Sequence, residues 1–193
     1  MHLLLPLKVY ASVCIAILTC ASQAAQIDRP ALKDSTILRS TVSCPECPES
    51  NCYKCTLGHD TTLQANTGGR AYIRSLVGFK LPVSPSTVRS CTVQFPALTQ
   101  QLPYPVNVTF SLAASSNWDE LTVNGENAPG SGEPFITVAV PAYSNMGAVD
   151  ITPACKAAGH NRQFSVYFGT QSGRIEIWSK DSGNPAILHT FQS

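Results

Sequence analysis

The most regular segment of this 193-residue sequence reads Val106-Asn-Val-Thr-Phe-Ser-Leu112. Every second side chain in it is apolar, and the side chains between are polar. This period of two is typical of a strand that has one face in a core and the other face in water. We therefore predict a strand over Val106–Leu112 whose buried residues are Val106, Val108, Phe110 and Leu112.

The segment that follows reads Asn117-Trp-Asp-Glu-Leu-Thr-Val-Asn-Gly125-Glu-Asn-Ala-Pro129. The large ring of Trp118 predicts a core anchor, because such rings bury much apolar area. Leu121–Val123 is predicted as a second, short strand. Asn124-Gly125 is typical of the turn that ends such a strand.

Four segments of the chain carry a family resemblance. Asn117–Pro129 is similar to a W-x-E-x-T…N-x-P motif, Arg74–Pro82 to R-x-L-x-x-F-x-L-P, Val149–Thr152 to D-V-T, and Ile177–Pro185 to F-x-S-[KR]-E…P. In this order they resemble the motifs of DNRLRE domains, secreted β-sandwiches that are also classified as carbohydrate-binding module family 96 and are related to disaggregatase-associated domains. The resemblance covers about residues 58–193 and implies a β-sandwich that binds carbohydrate.

The sequence departs from that family pattern in three places. The hexapeptide that names the family is absent, Asp181 replaces the usual Glu, and Val123 stands where a second Trp is common. The resemblance therefore supports the fold more directly than it supports any particular ligand.

Short strand patterns recur along the rest of the chain, separated by Gly, Pro, Asn and Ser. About ten such strands without βαβ alternation predict an all-β fold, an antiparallel jelly-roll-like β-sandwich. A short helical turn is predicted within Pro153–Gly159. Besides the two strands above, the predicted strands are Thr61–Ala65, Ala71–Leu81, Ser90–Leu98, Ile136–Val140, Val149–Ile151, Phe164–Phe168, Ile175–Trp178 and Ile187–Phe191.

Met1–Ala25 has the pattern of a secretory signal peptide, with Lys8 before an apolar run over Val9–Leu18. A signal anchor is the alternative, but that run is short for a bilayer span. We expect a secreted protein, extracellular or associated with a cell wall. Residues 26–55 form a linker and a cysteine-rich head, in which Gln26–Ser43 is either a linker or a first edge strand. Residues 56–193 form the jelly-roll, carbohydrate-binding-module-like domain.

The charge balance of the chain is almost neutral. Charged residues make up only 13% of the sequence, and the formal net charge is +1. Because the sequence has no run of Lys and Arg, neither a nucleic acid nor a membrane is predicted as a partner.

Six of the eight cysteines lie after the leader. The four in the head could be zinc ligands, but the leader and the short gap between the two pairs favour disulfides. The other two lie at predicted sheet termini, where a bridge between strands is geometrically plausible. We therefore favour a bond between Cys91 and Cys155, with the head cysteines pairing among themselves in an order left open. The head cysteines are Cys44, Cys47, Cys52 and Cys55.

The sequence contains none of the nucleophile, phosphate-loop or dinucleotide motifs of common enzymes. A glycosidase pair could be assembled from Asp60, Asp119, Asp150 and Glu176, but solvated or cap-forming roles are favoured for these carboxylates. We predict no catalytic residues, no enzyme activity and no cofactor. A structural Ca²⁺ held by oxygen-rich loops stays open as an alternative.

Two predicted strands present aromatic and polar side chains on the face opposite their apolar residues. These residues are Tyr72, Arg74, Arg174, Glu176 and Trp178. Sugar rings stack on exposed aromatic faces while nearby polar groups bind their hydroxyls, so these five are candidate carbohydrate contacts. The alternative is that they form a stabilising cation–π and ion-pair surface.

Asn107-Val-Thr109 is a sequon for N-linked glycosylation, and the strand pattern points Asn107 outward. The residues alone indicate an extracellular all-β binding module, and the family resemblance indicates carbohydrate. The predicted function is non-catalytic binding of a cell-wall or matrix polysaccharide. An extracellular structural or adhesive protein that binds another protein is the main alternative, and a small glycan-degrading enzyme is a further one.

Overall fold

The computed structural model describes residues 25–39, 44–45, 47, 51–66 and 72–192. The predicted leader therefore lies outside the described residues, apart from Ala25. None of the helices within the described ranges has the length and apolar character needed to cross a membrane.

The regular structure of the described chain consists mainly of strands, and all of their pairings are antiparallel, as predicted. Five strands form one sheet in the order β2-β4-β9-β6-β7, four form a second in the order β1-β11-β5-β8, and β10 pairs with β3. The strands are β1 Gln26–Pro30, β2 Lys33–Leu38, β3 Thr62–Ala65, β4 Ile73–Lys80, β5 Val88–Gln94, β6 Val106–Ala113, β7 Ser131–Val140, β8 Val149–Asp150, β9 Gln163–Thr170, β10 Ile175–Trp178 and β11 Ile187–Gln192. A helix, α1, spans Thr152–Lys156, and short 3-10 turns span Cys52–Lys54, Pro85–Thr87 and Lys180–Ser182.

The main core lies between the sheets and has phenylalanines at its centre. Phe95 contacts Phe110 and Phe168, with ring centroids 5.4 Å apart in both pairs. Phe79 stacks on Phe164 at 5.5 Å. Complete burial of such a side chain contributes roughly 1.5–3 kcal/mol to folding, so this group accounts for a large part of the stability. In β6, Val106, Val108 and Phe110 are buried as predicted, whereas Leu112 is only partly buried against this core.

The sequence from Gln26 proves to be part of the sandwich. β1 pairs with β11 at the edge of one sheet, and β2 pairs with β4 at the edge of the other. Of the two interpretations offered for this segment, the edge strand is correct, and two strands are present rather than one.

The predicted strand Leu121–Val123 is wrong. Residues 114–130, here called the cover segment, form successive turns. The Asp119 carboxylate accepts hydrogen bonds from the backbone N–H groups of Leu121 and Thr122, at 3.0 and 3.1 Å. The Asn124 side chain accepts one from the backbone of Glu126 at 3.0 Å. Such side-chain-to-backbone bonds compete with a strand ladder and here replace it.

The cover segment closes over the outward face of the five-stranded sheet. Its ends meet where the Ala114 N–H donates to the Gly130 carbonyl at 2.8 Å. Trp118 is only 9% exposed, as predicted for an anchor. Its indole N–H donates to Ser165 Oγ at 2.9 Å, so the buried ring has its polar partner.

The head is held by two disulfides, Cys44–Cys52 and Cys47–Cys55. It packs on Leu38 and Ile73 at one end of the five-stranded sheet. Gly125 of the cover segment lies so close to this junction that a Cβ atom there would stand 2.2 Å from the Leu38 carbonyl oxygen. Only glycine permits that approach, because no other residue lacks a Cβ.

The third disulfide joins Cys91 of β5 to Cys155 of α1, the pairing favoured from the sequence. α1 overlaps the predicted helical turn and begins one residue before it. The bond fixes this helix against the four-stranded sheet, since both cysteines are fully buried.

Candidate functional site

Arg174, Glu176 and Trp178 lie together on β10, as the alternation predicted. Ile175 and Ile177 between them are buried in the main core, so the three side chains point outward. Trp178 is 38% exposed. The Arg174 guanidinium lies 3.3 Å from Glu176 Oε2.

Thr99 completes this surface. Its N–H donates to the Glu176 carbonyl at 2.9 Å, and its hydroxyl donates to Glu176 Oε1 at 3.2 Å. We call the surface formed by Thr99, Arg174, Glu176 and Trp178 the Trp178 face. It combines one accessible aromatic ring with charged and hydroxyl groups on a rigid strand, which is the combination needed to stack on a sugar ring and bind its hydroxyls.

Tyr72 and Arg74 lie elsewhere, at the outward side of β4 on the five-stranded sheet. Tyr72 is exposed, but Arg74 is only 9% exposed. Its guanidinium donates to Tyr72 Oη at 3.0 Å and to the hydroxyls of Ser111 and Ser131 at 2.7 Å each. It also lies over the Tyr167 ring, 5.1 Å from the centroid. Arg74 is therefore part of the interior under the cover segment, and the structure does not bring it to the Trp178 face.

No motif or spacing in the sequence indicates that Arg39 and Tyr167 join Arg74 in the structure. Arg39 follows β2 and donates to the carbonyls of Gly125 and Ala128 at 3.1 and 3.3 Å. The Tyr167 hydroxyl donates to the Pro129 carbonyl at 2.6 Å, and burial raises the pKa of that hydroxyl to about 12. These bonds fasten the cover segment to the sheet.

A cluster of carboxylates fastens the cover segment at a second place. Oxygens of Asp34, Glu120 and Asp181 lie within 4.8 Å of one another. Lys180 Nζ lies 3.0 Å from Glu120 Oε2 and 3.2 Å from Asp181 Oδ2. Although burial opposes the charged form, the hydrogen bonds to Glu120 and Asp181 raise the pKa of Lys180. The Lys180 N–H also donates to Asp34 Oδ2 at 2.9 Å.

Asp34 is buried, and its burial raises the pKa of its carboxyl to about 6. Three carboxylates so close together could hold a cation such as Ca²⁺. The Lys180 ammonium already places a positive charge against two of them, so these residues fit a lysine-centred ion-pair cluster at least as well as a metal centre.

The carboxylates considered for a glycosidase pair have other partners. Asp119 accepts hydrogen bonds within the cover segment, and Asp150 accepts one from the Thr152 N–H at the start of α1, at 2.9 Å. Glu176 lies on the Trp178 face. The cap-forming roles favoured from the sequence are confirmed for Asp119 and Asp150.

The residues of the quoted family motifs thus hold the fold together. Trp118 and Glu120 anchor the cover segment, and Arg74 lies beneath it. Lys180, which pairs with Glu120, and Asp181 lie in the 3-10 turn that follows β10.

Fold and surface together define a disulfide-stabilised β-sandwich that carries one accessible aromatic ring among polar groups on the outward side of β10, an arrangement suited to binding. The model of the family described as carbohydrate-binding module family 96 matches residues 53–190. The chain belongs to this family. It is also similar to a protein of Arthroderma benhamiae named "Uncharacterized secreted protein", with 65% identity over 166 residues that cover 86% of this chain and 85% of that protein.

Proposed function

We propose that the protein is a secreted, non-catalytic module that binds a polysaccharide of a cell wall or extracellular matrix through the Trp178 face. Membership of carbohydrate-binding module family 96 is the observation that carries the proposal. The signal-peptide pattern of Met1–Ala25 and the printed name of the Arthroderma relative support secretion. The DNRLRE and disaggregatase relationship is part of the proposal and rests on the four motifs quoted above.

The Trp178 face supplies what a sugar polymer needs. The Trp178 ring is accessible to a pyranose face, and Glu176 and Thr99 offer acceptors and donors beside it. Because β10 is paired with β3 and its isoleucines are buried in the core, the backbone that carries the ring is preorganised, which lowers the conformational entropy lost on binding.

The absence of catalysis is supported by the roles of the acidic residues. Asp119 and Asp150 cap turns, and the Glu120 carboxylate is paired with Lys180. A glycosidase needs two carboxyl groups facing one another across a sugar, about 5–10 Å apart. Glu176 on the Trp178 face has Arg174 as its charged partner.

The test is binding of the secreted protein to a panel of insoluble and soluble polysaccharides. Trp178→Ala is expected to weaken retention at least about tenfold, equivalent to about 1.4 kcal/mol. Tyr143→Ala is the control, because Tyr143 is an aromatic residue outside the Trp178 face and is even more exposed than Trp178, 68% against 38%. Equal loss in both variants, or no loss in either, would place binding elsewhere. Release of sugar products by the wild type would contradict the non-catalytic part of the proposal.

A further inference from the structure

Arg39 and Arg74 line one small cavity at the edge of the cover segment. Its volume is about 10 Å³, which is room for a single atom of the size of a water oxygen. Tyr167 in its lining is buried, whereas Tyr72 is exposed, so the cavity has a buried floor and an open mouth. We call it the two-arginine cavity. Its lining consists of Ile37, Arg39, Tyr72, Arg74, Ser131 and Tyr167.

The register of β2 and β4 brings the two guanidiniums to this cavity. The two strands are antiparallel neighbours in which Ile37 lies opposite Arg74. One step further along the ladder, the Arg39 N–H donates to the Tyr72 carbonyl at 2.8 Å. Because residues two apart on a strand point to the same side, Arg39 and Arg74 share the outward face of the five-stranded sheet.

Arg74 is a buried cation whose partners in the described part of the chain are neutral. Its guanidinium donates to the hydroxyls of Tyr72, Ser111 and Ser131, and it lies over the face of the Tyr167 ring. These bonds use three of the five N–H groups of the guanidinium. Hydroxyls and a ring face replace part of the lost hydration, but they do not balance the charge, so the burial of Arg74 keeps a cost of desolvation.

Arg39 adds a second cation with neutral partners. It donates to the carbonyls of Gly125 and Ala128 in the cover segment. Burial raises the pKa of the Tyr167 hydroxyl to about 12, while the charges of Arg39 and Arg74 lower it, so both guanidiniums lie close to this one hydroxyl. The salt bridges within the described ranges belong to Arg174, Lys180 and His189.

The two-arginine cavity thus gathers two positive charges without a carboxylate in its lining. The segments that adjoin Arg39 and Tyr72 in the sequence, residues 40–43 and 67–71, contain no Asp or Glu. Two cations that face one cavity of low polarity create a positive potential there, which favours an anion over a water molecule.

The size of the two-arginine cavity selects among anions. A carboxylate or a sulfate brings a central atom and at least two oxygens, which is more than a cavity of about 10 Å³ admits. A halide is a single atom, and it accepts N–H and O–H groups from several directions. The Tyr72 hydroxyl accepts from Arg74 and can donate its own O–H into the cavity.

We propose that the two-arginine cavity binds a monatomic anion, chloride under physiological conditions, between the guanidiniums of Arg39 and Arg74. The anion balances charge that the neutral partners leave unbalanced. Since Arg39 also holds two carbonyls of the cover segment, the bound anion helps to fasten this segment to the sheet. The site is separate from the Trp178 face and does not depend on carbohydrate as the ligand.

The experiment measures the thermal unfolding of the secreted protein in sodium chloride, bromide, acetate and gluconate at equal ionic strength. The midpoint is expected to be about 3–6 °C higher in chloride than in gluconate, which is the shift for about tenfold excess of chloride over its dissociation constant in a domain of this size. Bromide should act like chloride. Acetate should act like gluconate, because a carboxylate does not fit the cavity.

Two variants locate the effect. Arg39→Gln removes one of the two charges and keeps an amide that can bind the cover segment, so the protein is expected to fold and to lose most of the chloride-specific shift. Arg89→Gln is the matched control, because Arg89 is exposed on β5 of the other sheet. This variant should keep the full shift.

A wild-type crystal soaked in bromide gives the position of the ion directly, since bromide scatters anomalously. The expected peak contacts N–H groups of both Arg39 and Arg74, and it decides the question even where Arg39→Gln fails to fold. Four results would overturn the proposal: equal midpoints in chloride and gluconate, a full shift in Arg39→Gln, acetate as effective as chloride, or no anomalous peak in the cavity.

Discussion

Lys180 Nζ lies 3.0 Å from Glu120 Oε2, and this contact joins the 3-10 turn after β10 to the cover segment. The same ammonium lies 3.2 Å from Asp181 Oδ2. Lys180 is thus the central cation of a cluster in which residues from three separate parts of the chain meet. Removal of its charge should loosen the cover segment without touching the main core.

The first prediction concerns this cluster and calcium. Lys180→Met should destabilise the protein by about 1–3 kcal/mol, because it leaves carboxylates close together without their cation. The wild type should show the same thermal midpoint with and without a chelator, since Lys180 supplies the positive charge. Scanning calorimetry checks both results. A midpoint that falls on chelation and returns with Ca²⁺ would show that a metal stabilises this or another site.

The second prediction is a pH dependence caused by Asp34. Burial and the neighbouring charges of Glu120 and Asp181 raise the pKa of Asp34 from 3.8 to about 6 in the folded protein. Because the folded pKa is the higher one, the contribution of Asp34 to stability is greatest below pH about 4 and is lost as the pH rises through about 6.

Asp34→Asn removes that titration. The variant should be more stable than the wild type at pH 7.5, by up to about 3 kcal/mol, and the difference should vanish near pH 4. Urea unfolding at a series of pH values measures it. If the two stability curves stayed parallel across this range, Asp34 would not carry the raised pKa.

The third prediction contrasts the two tryptophans of the chain. Trp118→Ala should cost about 3–5 kcal/mol, because a buried ring and its bond to Ser165 are lost. Trp178→Ala should cost less than about 1 kcal/mol, since the ring is on the surface. Because the sequence has only 2 tryptophans, each variant leaves one fluorophore, and only Trp178 should respond to a bound polysaccharide. Comparable destabilisation by the two substitutions would mean that Trp178 is part of the core.

The fourth prediction is a glycan on Asn107. Asn107 is exposed on β6, and its partner across the ladder is the small residue Ala139. Thr109, the hydroxyl residue of the sequon, lies opposite Gly169. Because the neighbouring side chains are small or absent, the surface around Asn107 leaves room for a sugar chain. Peptide mapping of protein secreted by a eukaryotic host should show a glycan that an amidase removes. Asn107→Gln is the control, and an unmodified Asn107 in that host would refute the modification while leaving the strand register intact.

The fifth prediction concerns the covalent bonds. All six cysteines after the leader should be oxidised in the secreted protein, which thiol labelling under denaturing conditions with intact-mass measurement will test. The Cys91–Cys155 bond spans a sequence separation of 64 residues. Loss of such a loop closure costs about 4 kcal/mol in the chain-entropy model. Cys91→Ala with Cys155→Ala should therefore lower stability by about that amount, and free thiols in the wild type would contradict the assignment.

The sequence predicts the strands well wherever one face is buried and the other is wet. β10 has the predicted bounds, and the strand around Val108 has the predicted inward face. The cover segment could not be predicted in the same way. Its residues Leu121–Val123 have strand propensity, but Asp119 and Asn124 bond locally to the backbone and prevent a ladder.

The surfaces were predicted less completely than the strands, because they combine distant parts of the chain. The outward side of β10 follows from local alternation. The burial of Arg74, by contrast, depends on a segment that folds back over it, and Asp34 joins its cluster only through tertiary contacts. The surface cations show the same limit: the sequence has no run of cations, yet Arg29, Lys80 and Arg162 line one concavity of the folded protein.

The pairing of β1 with β11 has a consequence for how the chain matures. Gln26 lies opposite Phe191, so the first strand of the sandwich has the last strand as its neighbour. During export β1 emerges before β11, so its backbone N–H and C=O groups have no ladder partner until the 6 residues of β11 follow. Such long-range pairing is slow, and folds dominated by it complete on the scale of milliseconds to seconds. The sandwich therefore closes only after β11 has emerged, and a chain truncated before β11 would leave β1 without its partner strand.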